Sequence, residues 1–299
     1  MPDSLDSQNP VFIARQPVRR RGRTLRLLLG LRRWPSALVG GVVLLGIVAI
    51  ALGAGWLRPG DPLELVAEPF LRPGQDPAYP LGTDMLGRDI LSGILHGARA
   101  SLLIAATSTV LSLLIGITAG LVGGYFGGWA DREINRITVF FQTVPPFLFA
   151  LAIVAIVQPS VATIAIAIGL TSWPNLARLV RAETQKLRHG DMVQASIAIG
   201  ASDLRIIFSE ILPNTLSPVI VSTSLLVATA ILTESALAFL GLGDPNIASW
   251  GNMVGAGREV LRTDWYIATL PGLAIVVTVL ALNLLSDGLA GLLGQRARS

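Results

Sequence analysis

The sequence predicts an all-α membrane protein of six transmembrane helices with both termini cytoplasmic, and three observations carry that prediction. Only 14% of its 299 residues are charged, against roughly 25% in ordinary soluble domains, and the mean hydropathy is +0.63. Uncharged runs long enough to cross a bilayer core, about 20 helical residues each, recur along the chain. Arg and Lys gather in alternate connecting segments, seventeen on one side and six on the other, which marks the richer side as cytoplasmic. A water-soluble enzyme does not fit this composition. The pI near 10.3 does not imply nucleic-acid binding, because 22 of the 23 basic residues are Arg and the excess over 19 acids is small. With no cysteine, disulfides, thiolate metal sites and Cys nucleophiles are excluded.

Residues 1–33 read as a basic cytoplasmic arm whose cluster Arg19, Arg20, Arg21 and Arg23 either meets anionic headgroups or only sets topology. The first span is 34–57. Its charge-free run exceeds the roughly 7–15 residues of a signal-peptide core, so it is read as retained despite Ala49-Ile50-Ala51. Residues 58–97 form an extracytoplasmic loop with an interfacial helix. Thr83 or Asp84 caps that helix, Asp84 and Arg88 pair at i,i+4, and Ile90, Leu91, Ile94 and Leu95 supply its apolar face.

Residues 98–294 form the core of five further spans, followed by a cytoplasmic tail at 295–299. The second span starts after Arg99 and ends near Gly123 and Gly124. The uncharged run 137–177 is twice the length one crossing needs, so it reads as two helices turning at Gln158-Pro159-Ser160, with Pro145-Pro146 kinking the first of them. The fifth span covers about 216–240, interrupted by Glu234, and the sixth about 265–286. Trp250 and Trp265 bracket the last external loop and suit the headgroup belt.

The cytoplasmic loop 178–213 is too polar to cross. Gly190 ends one helix, Asp191 caps a short second, Gly200 ends it, and Ser202 caps a third that stops at Pro213. In the short helix Met192, Ala195 and Ile199 repeat at i, i+3, i+7, with Val193 and Ile197 alongside. A helix of two turns is marginal in water. It therefore either lies in a groove of another subunit or folds back on its own bundle.

Gln194-Ala195-Ser196, Gly200, Ala201-Ser202-Asp203-Leu204-Arg205 and Leu212-Pro213-Asn214 resemble the EAA loop of ABC-importer permeases. Gln194 stands where that motif has Glu, Ser196 where it has a second Ala, and Glu210 where it has an aliphatic residue. Pro80-Leu81-Gly82-Thr83-Asp84-Met85-Leu86-Gly87-Arg88-Asp89, Gly97-Ala98-Arg99, Phe239-Leu240-Gly241-Leu242-Gly243 and Ser249-Trp250-Gly251-Asn252-Met253 resemble the C-type permeases of dipeptide, oligopeptide and nickel importers. The resemblance runs from about residue 80 to the C-terminus. It implies the type I permease fold in a bacterial inner membrane and half of a translocation path. It also implies a second related permease, two ABC ATPase subunits and an extracytoplasmic solute-binding protein as partners, besides the lipid bilayer. Coupling to the ATPases then falls to Met192, Val193, Gln194, Ala195, Ser196, Ile197, Gly200, Ala201, Ser202, Asp203 and Arg205. No cofactor is implied on this chain, since ATP and Mg belong to the ATPases, and no nucleic-acid partner.

No catalytic constellation competes with that reading. The single Lys, Lys186, lies outside any G-x-x-x-x-G-K-[ST] loop. His96 and His189 are assigned to opposite faces of the membrane, so they cannot share a site, and neither belongs to a metal-ligand cluster. Glu234 is the one ionisable residue well inside a span. There it lines a pathway, pairs with Arg258 or Arg262, or meets the partner permease. Ser222, Thr229 and Thr233, with Thr223 and Ser224 nearby, either line the same pathway or satisfy backbone carbonyls. The rival reading, a self-sufficient ion-coupled transporter, needs coupling-ion sites, for which the chain offers only Glu234.

Overall fold

Apolar runs of this length can satisfy their backbone only internally, and the helix does so within one segment. The computed structural model describes residues 35–296, in which the chain forms nine helices. They are α1 (Pro35–Leu57), α2 (Ile90–Phe126), α3 (Gly128–Thr143), α4 (Pro146–Val157), α5 (Val161–Arg188), α6 (Asp191–Ala198), α7 (Asp203–Leu242), α8 (Trp250–Gly257) and α9 (Tyr266–Arg296). Among the described residues there is no strand, only an isolated bridge between Thr83 and Asp89. Helices α1, α2, α7 and α9 are long and apolar enough to cross a membrane, and α3 with α4 makes a bent fifth candidate. The expected basic arm, 1–33, and the last residues of the tail, 297–299, lie outside the described residues.

Most punctuation residues act where the sequence places them, and outside the elbow three differences stand out. Pro145-Pro146 separates α3 from α4 by an 80° bend. The turn at 158–160 is present, with Gln158 at φ 83° and the Ser160 hydroxyl accepting the Thr163 N–H at 3.1 Å. The first difference concerns Pro213, expected to stop a helix. Here α7 runs through it, because the backbone widens over Ile207–Ile211 and the Leu212 N–H bonds the Ile207 carbonyl five residues back. That wider turn accommodates a residue lacking its own N–H.

The second difference lies in 58–89, where no separate helix precedes α2. Asp89, not Thr83 or Asp84, caps α2 by accepting the Leu91 N–H at 2.9 Å, and Ile90, Leu91, Ile94 and Leu95 form its first turns. Asp84 instead accepts the backbone N–H groups of Leu86 and Arg88 in a tight turn. Gly82 and Gly87 carry left-handed φ, and a Cβ on either would sit 2.1 Å from the carbonyl oxygen of Leu71 or Ala67. The loop therefore folds on itself through its glycines. The third difference is Trp250, which is buried, its indole N–H donating to the Ile94 carbonyl at 2.9 Å; Trp265 remains exposed.

Helices α2 and α5 pack closely along their length because one presents glycine to the other. A Cβ on Gly116 would press on Leu176, one on Gly120 on Val180, one on Gly124 on Thr184, and one on Gly169 of α5 on Leu111. Such small-residue faces let backbones approach where lipid leaves no hydrophobic incentive to associate. Large apolar side chains remain exposed around the periphery, among them Leu45, Leu52, Leu114 and Ile156, as expected of surfaces meeting acyl chains rather than water.

Candidate coupling elbow and buried polar cluster

The elbow α6 is short, and one side chain fastens its apolar residues to the rest of the molecule. Val193 is 1% exposed and packs with Leu121, Tyr125, Leu176, Val180, Ile206 and Ile211. Its neighbours point away: Met192, Ile197 and Ile199 are 52, 47 and 84% exposed. Gly190, not Asp191, occupies the cap position before α6, and Gly200 closes the elbow at φ 80°, a conformation glycine adopts without strain. Ser202 then precedes α7, its side chain making no capping bond.

Polar bonds brace the elbow against the ends of the long helices. The Tyr125 hydroxyl at the end of α2 donates to Asp203 at 2.7 Å, and the Arg188 guanidinium lies 5.5 Å from the Tyr125 ring centroid. Gln194 donates to the Arg188 carbonyl at 3.0 Å, and Ser196 donates to Glu210. Nearby, Arg181 of α5 holds Asp131 of α3 through two parallel bonds. Ala195 and Arg205 are exposed and Ala201 half-buried. Tyr125, Arg188 and Asp131 were not among the residues singled out from sequence, since no spacing signal connects partners 78 or 50 residues apart.

Of the pathway candidates, Ser222 and Thr229 come together. They line a cavity of about 350 Å³ with Thr171, Asn175, Leu176 and Leu225. The Thr229 and Thr233 hydroxyls each also donate to the carbonyl four residues back. Thr233 and Glu234 are absent from that lining. Glu234 is 1% exposed and accepts hydrogen bonds from Ser249 at 2.7 Å, Ser235 at 3.4 Å and Ser101 at 3.5 Å. Neither suggested arginine reaches it. Arg258 turns to the Phe239 carbonyl and ring, and Arg262 is exposed. A second, more open cleft of about 450 Å³ lies between the 62–93 segment and α8, with Asp84, Arg88, Asp89 and Arg258 in its wall.

Comparison with known proteins decides the family. Residues 112–299 match the model of the binding-protein-dependent transport system inner membrane component. The chain belongs to that family. It is thus a multi-pass permease component of the inner membrane and not the ATPase of its transporter. Among relatives, the Di/tripeptide transport system permease protein DppC of Pseudomonas aeruginosa is 41% identical over 270 residues, covering 88% of this chain and 89% of that one. The Glutathione transport system permease protein GsiD of Pectobacterium atrosepticum is 39% identical, covering 88% of each. A chain of the MetNI methionine ABC transporter, solved in an inward-facing conformation, superposes with a TM-score of 0.55 at 16% identity, covering 66% of this permease and 94% of that chain. That likeness shows the ABC permease fold.

Proposed function

We propose that this permease forms half of the translocation pathway of an ATP-driven importer of short peptides, and that its elbow seats in the ATPase subunits. The observation that carries the reading is α6: fastened by Val193 alone among its apolar residues, it presents Met192, Ile197 and Ile199 outward. A peptide substrate is supported by relatives named for di/tripeptide and glutathione transport. A second, related permease completes the pathway, two ABC ATPases bind beneath, and an extracytoplasmic solute-binding protein delivers the peptide.

In this reading the chain crosses six times. The bent pair α3–α4 is the third crossing and α5 the fourth, its far half carrying the polar residues that lead into the elbow. Both termini and the elbow face the cytoplasm, where Arg and Lys accumulate, and the cleft beside α8 faces the delivery side. Transport proceeds by alternating access. Closure of the ATPases on ATP moves α6 together with Gln194, Ala195, Ser196, Gly200, Ala201 and Ser202. Tyr125–Asp203 and the short segment to Arg205 pass the displacement to α2 and α7. Ser222 and Thr229 line the route within the membrane.

Because the chain holds no cysteine, single cysteines at positions 192, 197 and 199 can be crosslinked one at a time in the assembled transporter. Adducts with the ATPase subunits during turnover are the expected result. Adducts with lipid or with this chain alone overturn the proposal.

A further inference from the structure

Glu234 stands out as the buried ionisable group that the transport cycle above leaves without a task. Burying a carboxylate is costly unless its surroundings compensate, and here every partner is a serine hydroxyl. The arrangement of those serines shows what the carboxylate joins. Ser249 is the residue before α8, and its hydroxyl accepts the Asn252 N–H at 3.1 Å while donating to Glu234. Ser101 belongs to α2, and its oxygen accepts the Trp250 N–H at 3.2 Å. One side chain of α7 is thereby bonded to the start of α8 and to α2, which the first turn of α8 also touches.

The packing around this junction is equally close. A Cβ on Gly251 would lie 2.8 Å from the Ser235 Cα and 3.0 Å from a Glu234 carboxylate oxygen, and one on Gly255 would lie 2.8 Å from the Ala238 carbonyl. Helix α8 therefore rests on the α7 backbone through glycines, with Trp250 bonded to Ile94 of α2. Its lead-in loop is tied a second time. The Asp244 carboxylate accepts the Val161 N–H at the start of α5 at 3.2 Å, and Asn252 donates to the Asp244 carbonyl at 2.6 Å. At the other end of α7, beside the elbow, Asp203 accepts the Tyr125 hydroxyl of α2 and Glu210 accepts the Ser196 hydroxyl of the elbow itself.

We propose that Glu234 is a positioning residue that makes α8 travel with α7 and α2, so that a displacement begun at the elbow reaches the cleft beside α8 at the opposite end of the protein. This rests on the coupling role proposed for the elbow. The ion-pair alternatives are absent here: the guanidinium of Arg258 is committed to Phe239, and no Lys, Arg or His among the described residues forms a salt bridge with Glu234.

The test uses the pair Gly93→Cys and Met253→Cys, which spans α2 and α8 where a Cβ on Gly93 would touch the Met253 side chain. A short bismaleimide should link the pair efficiently in the purified chain in detergent, without partners, and equally in the assembled transporter with and without ATP. Adding Glu234→Ala should cut the yield at least about fivefold, whereas Glu234→Gln, which keeps an acceptor for Ser249, should retain it. Ser249→Ala should lower the yield in the same direction, so that the readout survives if Glu234→Ala fails to fold. In the full transporter Glu234→Ala should lower kcat for uptake and raise the ATP consumed per peptide, with KM unchanged. An unchanged yield in Glu234→Ala and Ser249→Ala overturns the proposal, as does a rise in KM at constant yield, which would mark a solute contact. The partner-free crosslink is independent of ATPase binding, so failure of the elbow reading and failure of this one give different results.

Discussion

Ser196 on α6 donates a hydrogen bond to Glu210 on α7, joining two positions at which this sequence differs from the EAA loop it resembles. A serine and a glutamate replace an alanine and an aliphatic residue, and each departure supplies the other's partner. Ser196→Ala should leave the carboxylate without its donor and destabilise the permease by about 1–2 kcal/mol, while Ser196→Ala with Glu210→Leu should recover most of the loss. Thermal unfolding of the two single variants and the double in detergent measures the coupling as a double-mutant cycle. Simple additivity would refute the pairing.

The elbow's outer face should tolerate neither charge nor a stiff closing turn. Ala195 is exposed on α6, so Ala195→Asp should leave membrane insertion intact and release the ATPase subunits in a detergent pull-down. Gly200 is at φ 80° in open space. Gly200→Val strains the backbone by about 1–2 kcal/mol without a clash, and should also weaken retention. Wild-type retention in both variants counts against a seated elbow.

The glycine seam between α2 and α5 predicts a severe packing defect. A Cβ on Gly120 would come within 2.5 Å of the Val180 Cβ and 2.8 Å of the Ala177 carbonyl oxygen. Backbone cannot retreat as a side-chain tip can, so Gly120→Leu should cost at least about 3 kcal/mol and sharply reduce folded yield in size-exclusion chromatography. Gly46→Ala, in open space on α1, is the control and should be near neutral.

Tyr125→Phe removes one hydroxyl from the junction of α2 with α7. The loss of a bond to a carboxylate should cost about 1–2 kcal/mol. If this bond carries displacement from the elbow, peptide-stimulated ATP hydrolysis should fall several-fold while ATPase retention in the pull-down is unchanged. Normal stimulation would assign Tyr125 to stability alone.

The legible parts of this fold were those governed by local chemistry. Apolar runs gave the long helices, Pro145-Pro146 the bend, and Gly200 the closing turn of the elbow. What escaped was the outcome of competition between distant parts. Pro213 reads as a stop, yet the preceding turn widens and tertiary packing on Ile206 and Ile211 carries the helix onward. Asp84 reads as a helix cap, but a folded loop claims it and leaves the capping to Asp89. Trp250 suits an interface by composition and is instead drawn inside by Gly97 and the Ile94 carbonyl. Within the candidate sites, periodicity marked the apolar residues of α6 but left open which way they face, and Val193 alone turns inward. The serine surroundings of Glu234 did not, because Ser101 lies 133 residues away in sequence.

At about 1.5 Å of rise per residue, the 26 α-helical residues Leu212–Leu237 of α7 extend roughly 39 Å, already beyond the roughly 30 Å of a hydrocarbon slab, before the turns from Asp203 to Ile211 are added. If α7 crosses as proposed, tilt takes up part of that excess and those added turns stand beyond the hydrocarbon. On the proposed reading, an ATPase seated on the elbow then works on a stalk clear of the headgroups, and its stroke need not first push lipid aside.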